Sequence, residues 1–414
     1  MLVYKFYLLG IGGKMTVFKK IYCRAFQAFF RLAYPFLPYR EPLLLDSIEK
    51  VGEALKKENV SNVLLVTGNF LYGSGATKVL EGALTSAGVK YSIYSKTQPN
   101  PTSDNVEEAL DIYLKNGCQA IVAFGGGSPL DCAKVVGARV ACPKKPVSKF
   151  KGLLKVRRKI PTLVAIPTTA GTGSEVTLAA VITDENKHKC PISSFTLIPR
   201  YAVLDPVVTY SMPSHLTATT GMDALTHAVE AYIGHSTTKK TRALSIGAVR
   251  LIFENIELAY KEGGNRVARE NMLTASYMAG VAFSRSYVGY VHAVAHSLGG
   301  KYNVPHGLAN AVLLPLVLEA YGKSAHKKLY RLGVAVGVAN EADTPEQGAK
   351  KFIDGIRALN ENMGIPTCIK EIVKEDIPYL AKQAAKEGNP LYPVPRLMDA
   401  RRLEEIYKKA AENN

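Results

Sequence analysis

The chain has 414 residues, enough for two domains with separate cores. Its 47 % hydrophobic and 21 % charged content is that of a soluble globular protein, and no apolar run approaches the roughly 18 residues that cross a bilayer. The net charge of +17 comes with no helix-turn-helix, RNP or finger pattern, so it reads as a solvated basic surface that concentrates an anionic cofactor or substrate.

Residues 1–40 carry seven Lys/Arg and no acid among many aromatics. The opening MLVYKFYLLGIGGK lacks a clear basic n-region and a small-residue cleavage site, so it is not read as a signal peptide. MTVFKKIYCRAFQAFFRLAYPFLPYREP reads as a basic, aromatic-rich helix packed on the body, a membrane or partner surface being the alternative; Met15 is a second candidate start. From about residue 60 to 205, the runs NVLLVTG, KYSIYS, AIVAFGGG and TLVAIPTT are expected as buried strands. LDSIEKVGEALKKENV, TKVLEGALTSAG and DNVEEALDIYLKNG are expected as amphipathic helices between them. This alternation predicts a parallel, helix-flanked, Rossmann-like sheet with ligands at the carboxyl ends of its strands. A second basic cluster, Lys144 to Lys159, holds eight bases and no acid. After Asp205-Pro206, long helical patterns take over. The expected organisation is an extension over 1–40, an α/β dinucleotide domain over 41–205 and an all-α metal domain over 206–414.

Two loops at strand ends carry the cofactor argument. In AFGGGSPLDCAK, Gly125, Gly126 and Gly127 let the backbone approach a phosphate at the start of a helix, whose N–H groups and dipole favour an anion. Alone, such a turn can equally be a tight connection. IPTTAGTGSEVT, dense in hydroxyls and glycines at the next strand end, makes a dinucleotide site the better reading. The VTGNFLYGSG turn after the first strand and Asn100 in PNPT are further contributors.

The metal argument lies in the helical part. Asp223 and His227 stand four apart in GMDALTHAVEAY, on one helix face. HAVAHSLGGKYNVPH holds three of the eight histidines. A carboxylate with imidazoles suits Fe²⁺ or Zn²⁺. Spacing alone favours His292 and His296 as a ligand pair and leaves His306 open. The six cysteines are scattered without a CxxC pair, which argues against a thiolate site and for a reducing compartment, the cytoplasm.

GGGSPLDCAK, PTTAGTGSEVT, TATTGMDALTHAVEAY and HAVAHSLGGKYNVPHGLANAVLLP, in that order, resemble the iron-containing (group III) alcohol dehydrogenases, of dehydroquinate-synthase-like fold, from about residue 40 onward. The resemblance implies reversible hydride transfer between a small alcohol or aldehyde and NAD or NADP. It assigns the metal to Asp223, His227, His292 and His306, and moves His296 from ligand to proton relay. It puts Gly127 and Ser128 at the pyrophosphate, with Gly126 in the same turn. Thr168, Thr169, Thr177, Lys189 and Asn100 fall around the rest of the cofactor, and Asp131 near the nicotinamide. Many members carry an Asp in a VTD turn where this chain has Gly68. Its loss removes both a ribose hydrogen bond and a repulsion against a 2′-phosphate, which predicts that NADP(H) is accepted. Expected partners are the small substrate and a second copy in a homodimer, with neither nucleic acid nor membrane. The rivals are a glycerol or sugar-phosphate enzyme of the same fold, and a basic binding protein that retains the fold.

Overall fold

The run VLLV within NVLLVTG is apolar at consecutive positions because both faces of its sheet are covered. The structure, a computed structural model, describes residues 15–33, 37–184 and 189–411, so MLVYKFYLLGIGGK lies outside it. Helix α1 (Val17–Ala33) comes first. The α/β part runs β1 (Leu43–Leu45), α2 (Lys50–Lys57), β2 (Asn62–Gly68), α3 (Asn69–Gly73), α4 (Lys78–Ser86), β3 (Lys90–Thr97), α5 (Ser103–Lys115), β4 (Ala120–Gly125), α6 (Gly127–Ala141), β5 (Gly152–Leu153), β6 (Thr162–Pro167), β7 (Ala179–Thr183), β8 (Lys189–Ser193) and β9 (Tyr201–Val203). Helices then follow: α7 (Ser214–Ile233), α8 (Lys239–Lys261), α9 (Arg266–Ser286), α10 (Tyr290–Tyr302), α11 (His306–Tyr321), α12 (Lys323–Ala335), α13 (Pro345–Asn362), α14 (Ile377–Gly388) and α15 (Ala400–Ala411).

The parallel sheet has the order β1-β9-β6-β4-β2-β3. Successive residues of its strands feed opposite cores. Leu64, Val66, Ile121, Ala123, Leu163 and Ala165 pack with Val106, Ala109, Leu130 and Val135 of α5 and α6. Val63, Leu65, Val122, Phe124, Val164 and Ile166 pack on the other side with Val51, Leu55, Leu80 and Leu84 of α2 and α4. The capping box of Thr102 and Asn105 starts α5, so PNPT is a turn that ends in a helix cap. A second sheet, β5-β8-β7, contains an antiparallel β7–β8 pair that the sequence pattern does not announce.

The chain divides into two compact units. One comprises Pro38–Thr217 with Lys261–Ser284, the other Met1–Leu37, Ala218–Tyr260 and Arg285–Asn414. A single cut near Asp205-Pro206 therefore differs from this division over residues 206–217 and over 261–284, the latter including most of α9. In the first unit Gly173 explains the grouping: a Cβ there would come 2.7 Å from the Gly280 backbone of α9.

In the other unit α1 is tied to the C-terminal segment ahead of α15 through polar groups. Gln27 Nε2 donates to Tyr392 O (2.7 Å) and Pro390 O (3.1 Å), and Arg24 Nη1 donates to Val394 O (2.8 Å). Cys23 and Gln27 form the buried face. Several of the aromatic and aliphatic side chains expected to pack inward, Phe18, Ile21, Phe29 and Leu32 among them, instead point outward.

Candidate active site

In the α/β unit the chain goes from β2 to β3 on one side and then to β4 on the other, so the switch point lies between β2 and β4. Gly68 ends β2, and Gly126 and Gly127 begin α6 directly after β4. The two cofactor loops touch. A Cβ on Gly126 would meet the Thr169 side chain at 3.3 Å, and one on Gly127 would meet Thr172 Cγ2 at 3.0 Å. Thr168 N–H donates to Gly125 O at 3.0 Å, which continues the β4–β6 pairing into the loops. Ser128 lies in the first turn of α6, among its unsatisfied N–H groups. Lys189 Nζ donates to Asn100 Oδ1, which brings together two residues far apart in sequence.

Asp131 and Thr177 are engaged with the protein itself. Asp131 Oδ1 accepts from Ser174 Oγ (2.8 Å) and Oδ2 from Val181 N–H (2.9 Å). Burial raises the Asp131 carboxyl, with Lys134 opposing. Lys134, fully buried, donates to Ser174 Oγ (2.9 Å), Thr177 Oγ1 (2.9 Å) and Ala179 O (2.8 Å). Burial pulls its ammonium down to about 8, against Asp131 and Glu175. Burial pushes Glu175 up to about 7. Lys134 and Glu175 carry no signal in the sequence, since an isolated Lys or Glu beside a loop is usually a surface residue.

In the helical unit, Asp223, His227 and Glu230 fall at i, i+4 and i+7 of α7 and share one face. Asp223, His227 and His292 are buried, and their ligand atoms lie within 4.8 Å of one another. Asp223 Oδ1 stands 3.9 Å from His227 Nδ1, 3.9 Å from His292 Nε2 and 3.5 Å from His306 Nε2. The first two separations are too long for hydrogen bonds, and all three approach the roughly 3.4 Å between two ligands that each sit about 2.1 Å from one ion. The buried Asp223, His227 and His292 therefore fit a divalent first-row metal, with His306 beside the same carboxylate. Burial, then the neighbouring imidazoles, holds His292 well below the usual range; burial takes His306 down to about 4. Neutral imidazole is the form that binds metal.

Glu230 organises this site, and nothing in its sequence context marks it. Its Oε2 accepts from Gly289 N–H (2.8 Å) and pairs with His292 Nδ1 (2.7 Å), while Oε1 accepts from Val291 N–H (2.8 Å). The carboxylate thus caps α10 and fixes the His292 tautomer, leaving Nε2 toward Asp223. Gly289 permits this approach, since a Cβ there would lie 2.6 Å from Glu230 Oε1. Likewise a Cβ on Gly307 would lie 2.5 Å from Thr219 O, so α11 starts tight against α7 and sets His306 beside Asp223. Asn310, one turn beyond His306, donates from Nδ2 to Asp223 Oδ1 at 2.6 Å.

His296 lies a turn beyond His292, its imidazole 42 % exposed and stacked on His306 with centroids 5.2 Å apart. Its Nδ1 pairs with Glu387 Oε1 at 2.6 Å, and Tyr392 donates to the same oxygen at 2.7 Å. Desolvation opposes charge on His296, but Glu387, with Asp223 and Glu230, outweighs it and raises the imidazole above its ordinary value. A half-exposed imidazole with a bound carboxylate is suited to proton transfer.

Two family sequence models match the chain in succession: iron-containing alcohol dehydrogenase over residues 45–206, and the C-terminal part of the Fe-containing alcohol dehydrogenase family over residues 217–411. The 1,3-propanediol dehydrogenase of Citrobacter freundii is 39 % identical over 370 residues, covering 88 % of this chain and 95 % of that protein. The NAD-dependent methanol dehydrogenase of Bacillus methanolicus is 36 % identical over 355 residues, covering 85 % and 93 %. A crystal structure of 1,3-propanediol oxidoreductase superposes with a TM-score of 0.87 at 37 % identity, covering 90 % of this chain and 99 % of that one. The chain belongs to the iron-containing alcohol dehydrogenase family, and is a metal- and nicotinamide-dependent oxidoreductase of alcohols and aldehydes.

Proposed function

We propose that the protein interconverts a short primary alcohol and its aldehyde, with Asp223, His227, His292 and His306 as the metal ligands and His296 as the proton relay. The observation that carries this is the buried carboxylate–imidazole group whose His292 is oriented by Glu230. When bound, the metal supplies Lewis acidity at the substrate oxygen and the nicotinamide accepts or returns hydride. The chain's residues do the rest. Asp223 supplies the negative charge of the donor set, and the buried imidazoles stay neutral to face the ion. His296, held by Glu387 at Nδ1, takes the proton that leaves the alcohol and returns it in the reductive direction.

In the α/β unit, Gly126, Gly127 and Ser128 would receive the pyrophosphate on the N-terminus of α6. Gly68, Asn100, Asp131, Thr168, Thr169, Thr177 and Lys189 would complete the dinucleotide site. The bare Gly68 favours acceptance of NADP alongside NAD. The unit holding residues 38–217 is thus the cofactor unit, and the one holding α7, α10 and α11 the metal unit. A homodimer in the cytoplasm, without nucleic acid, completes the reading. The substrate class follows from the methanol and 1,3-propanediol relatives, both named for primary alcohols.

The test is metal analysis of protein purified anaerobically, paired with nicotinamide absorbance after adding back Fe²⁺ or Zn²⁺. About one ion per chain and metal-restored turnover of short alcohols are expected. His296→Ala should lower kcat by at least about 10²-fold while leaving metal content unchanged. Stoichiometric metal without any alcohol turnover would instead favour a sugar-phosphate reaction on this fold.

A further inference from the structure

Helix α1 is amphipathic the wrong way round for a helix that merely packs. Its buried face is polar and sulfur-bearing, with Cys23, Gln27 and the anchored Arg24. Its outward face carries Phe18 (84 % exposed), Ile21 (60 %), Phe29 (69 %) and Leu32 (74 %), with Ala25 between them. The spacing 18, 21, 25, 29, 32 follows one helical stripe, so the exposure is a continuous apolar face rather than scattered residues. Lys19, Lys20 and Arg31 are the helix's other bases, and residues 1–40 contain no acid.

A cavity of about 430 Å³ adjoins the helix in the same unit. Five bases line it: Lys20 and Arg24 of α1, Arg396, and Arg401 and Arg402 in the first turn of α15. The one acid there, Asp399, already accepts from the Met15 N–H (3.1 Å) and the Arg402 N–H (3.2 Å). Arg24 Nη1 and Nη2 donate to the backbone carbonyls of Val394 and Pro395. Among the described residues no ion pair joins Lys20, Arg396, Arg401 or Arg402 to a carboxylate. Asp399, just ahead of α15, is drawn on electrostatically by Arg401 and Arg402, so one carboxylate serves a lining of five bases.

We propose that the outward face of α1 and this basic cavity together dock the enzyme on an anionic phospholipid surface. The apolar stripe enters the headgroup–acyl boundary, and the cavity's bases take headgroup phosphates. The helix lies on the surface and does not span it: none among the described residues is long and apolar enough to cross a membrane.

Co-sedimentation of the full-length protein with vesicles tests this directly. Binding is expected to vesicles of phosphatidylcholine mixed with phosphatidylglycerol, to be weak on pure phosphatidylcholine, and to fall with added salt. Phe18→Ser and Phe29→Ser should each weaken binding at least about tenfold. Lys20→Gln and Arg401→Gln should each weaken it about fivefold. Circular dichroism and melting temperature show that each variant is folded. Three results would overturn the proposal: no preference for phosphatidylglycerol, binding unchanged in the folded phenylalanine variants, or inorganic phosphate bound in the cavity without any vesicle binding. A dimer that Phe18→Ser dissociates in light scattering, with no vesicle binding, would assign the face to a second copy and overturn it as well.

Discussion

In the proposed site, Gly68 is the residue whose missing side chain would bear on cofactor choice. Its backbone is in the ordinary extended region (φ −97°, ψ 157°), and an added Cβ would meet nothing nearer than Thr97 O at 3.4 Å. A side chain is therefore tolerated, and an Asp there would also sit at the N-cap of α3. Gly68→Asp is expected to lower kcat/KM for NADP at least about tenfold relative to NAD, through repulsion of the 2′-phosphate and a new bond to the ribose. Steady-state kinetics with both cofactors measures it; an unchanged ratio would mean that the adenosine lies elsewhere. At this scale the sequence was most legible where chemistry repeats at a helical interval, as with Asp223 and His227. Spacing favoured His296 as a ligand, because i, i+4 periodicity treats neighbouring imidazoles alike. The structure separates them: His292 is buried and bound to Glu230, whereas His296 is half-exposed and bound to Glu387. Neither carboxylate was legible, because their meaning depends on which backbone folds over them.

At the scale of elements, Glu230 couples two of them. It leaves α7 to cap α10, so the helix carrying His292 is set by the helix carrying Asp223 and His227. Glu230→Gln keeps the shape but loses the charge that holds both the N–H groups and the imidazole. It is expected to weaken metal affinity by about 10- to 100-fold, read by competition with a chromogenic chelator. Affinity unchanged from the parent would show that backbone packing alone orients His292. The strands of the main sheet were legible because burial on both faces leaves unbroken apolar runs. The β7–β8 pair was not: AAVIT and KCPIS are short and mixed, and no Asn-Gly or Asp-Gly turn stands between them. Helix α1 was legible as a helix but its orientation was not, since an apolar stripe has the same period whether it faces a core or the outside.

For the whole molecule, ligand binding and stability are linked. A metal that binds only the folded chain adds about 2.7 kcal/mol at a free concentration a hundred times its Kd. Stripping it with a chelator should therefore lower the melting temperature by several degrees, and Fe²⁺ or Zn²⁺ should restore it. Calorimetry with and without chelator checks this, and identical melting curves would contradict a stabilising metal in the α7–α10–α11 group. The order of an α/β part before a helical part was legible from the change of pattern after Pro206. The grouping of residues 261–284 with the α/β part was not, because a long amphipathic helix gives no sign of which core its apolar face serves.

The anchoring of α1 also bears on how the chain comes to be folded. The Met15 N–H bonds Asp399, 384 positions away, and Gln27 bonds the carbonyl of Tyr392, 365 away. Contacts of such separation form late, because loop closure must precede them. During synthesis Gln27 emerges 365 residues ahead of the Tyr392 carbonyl that fixes it. For most of translation this basic, apolar segment has no native seat to occupy, so whatever meets the nascent chain meets α1 before the enzyme exists.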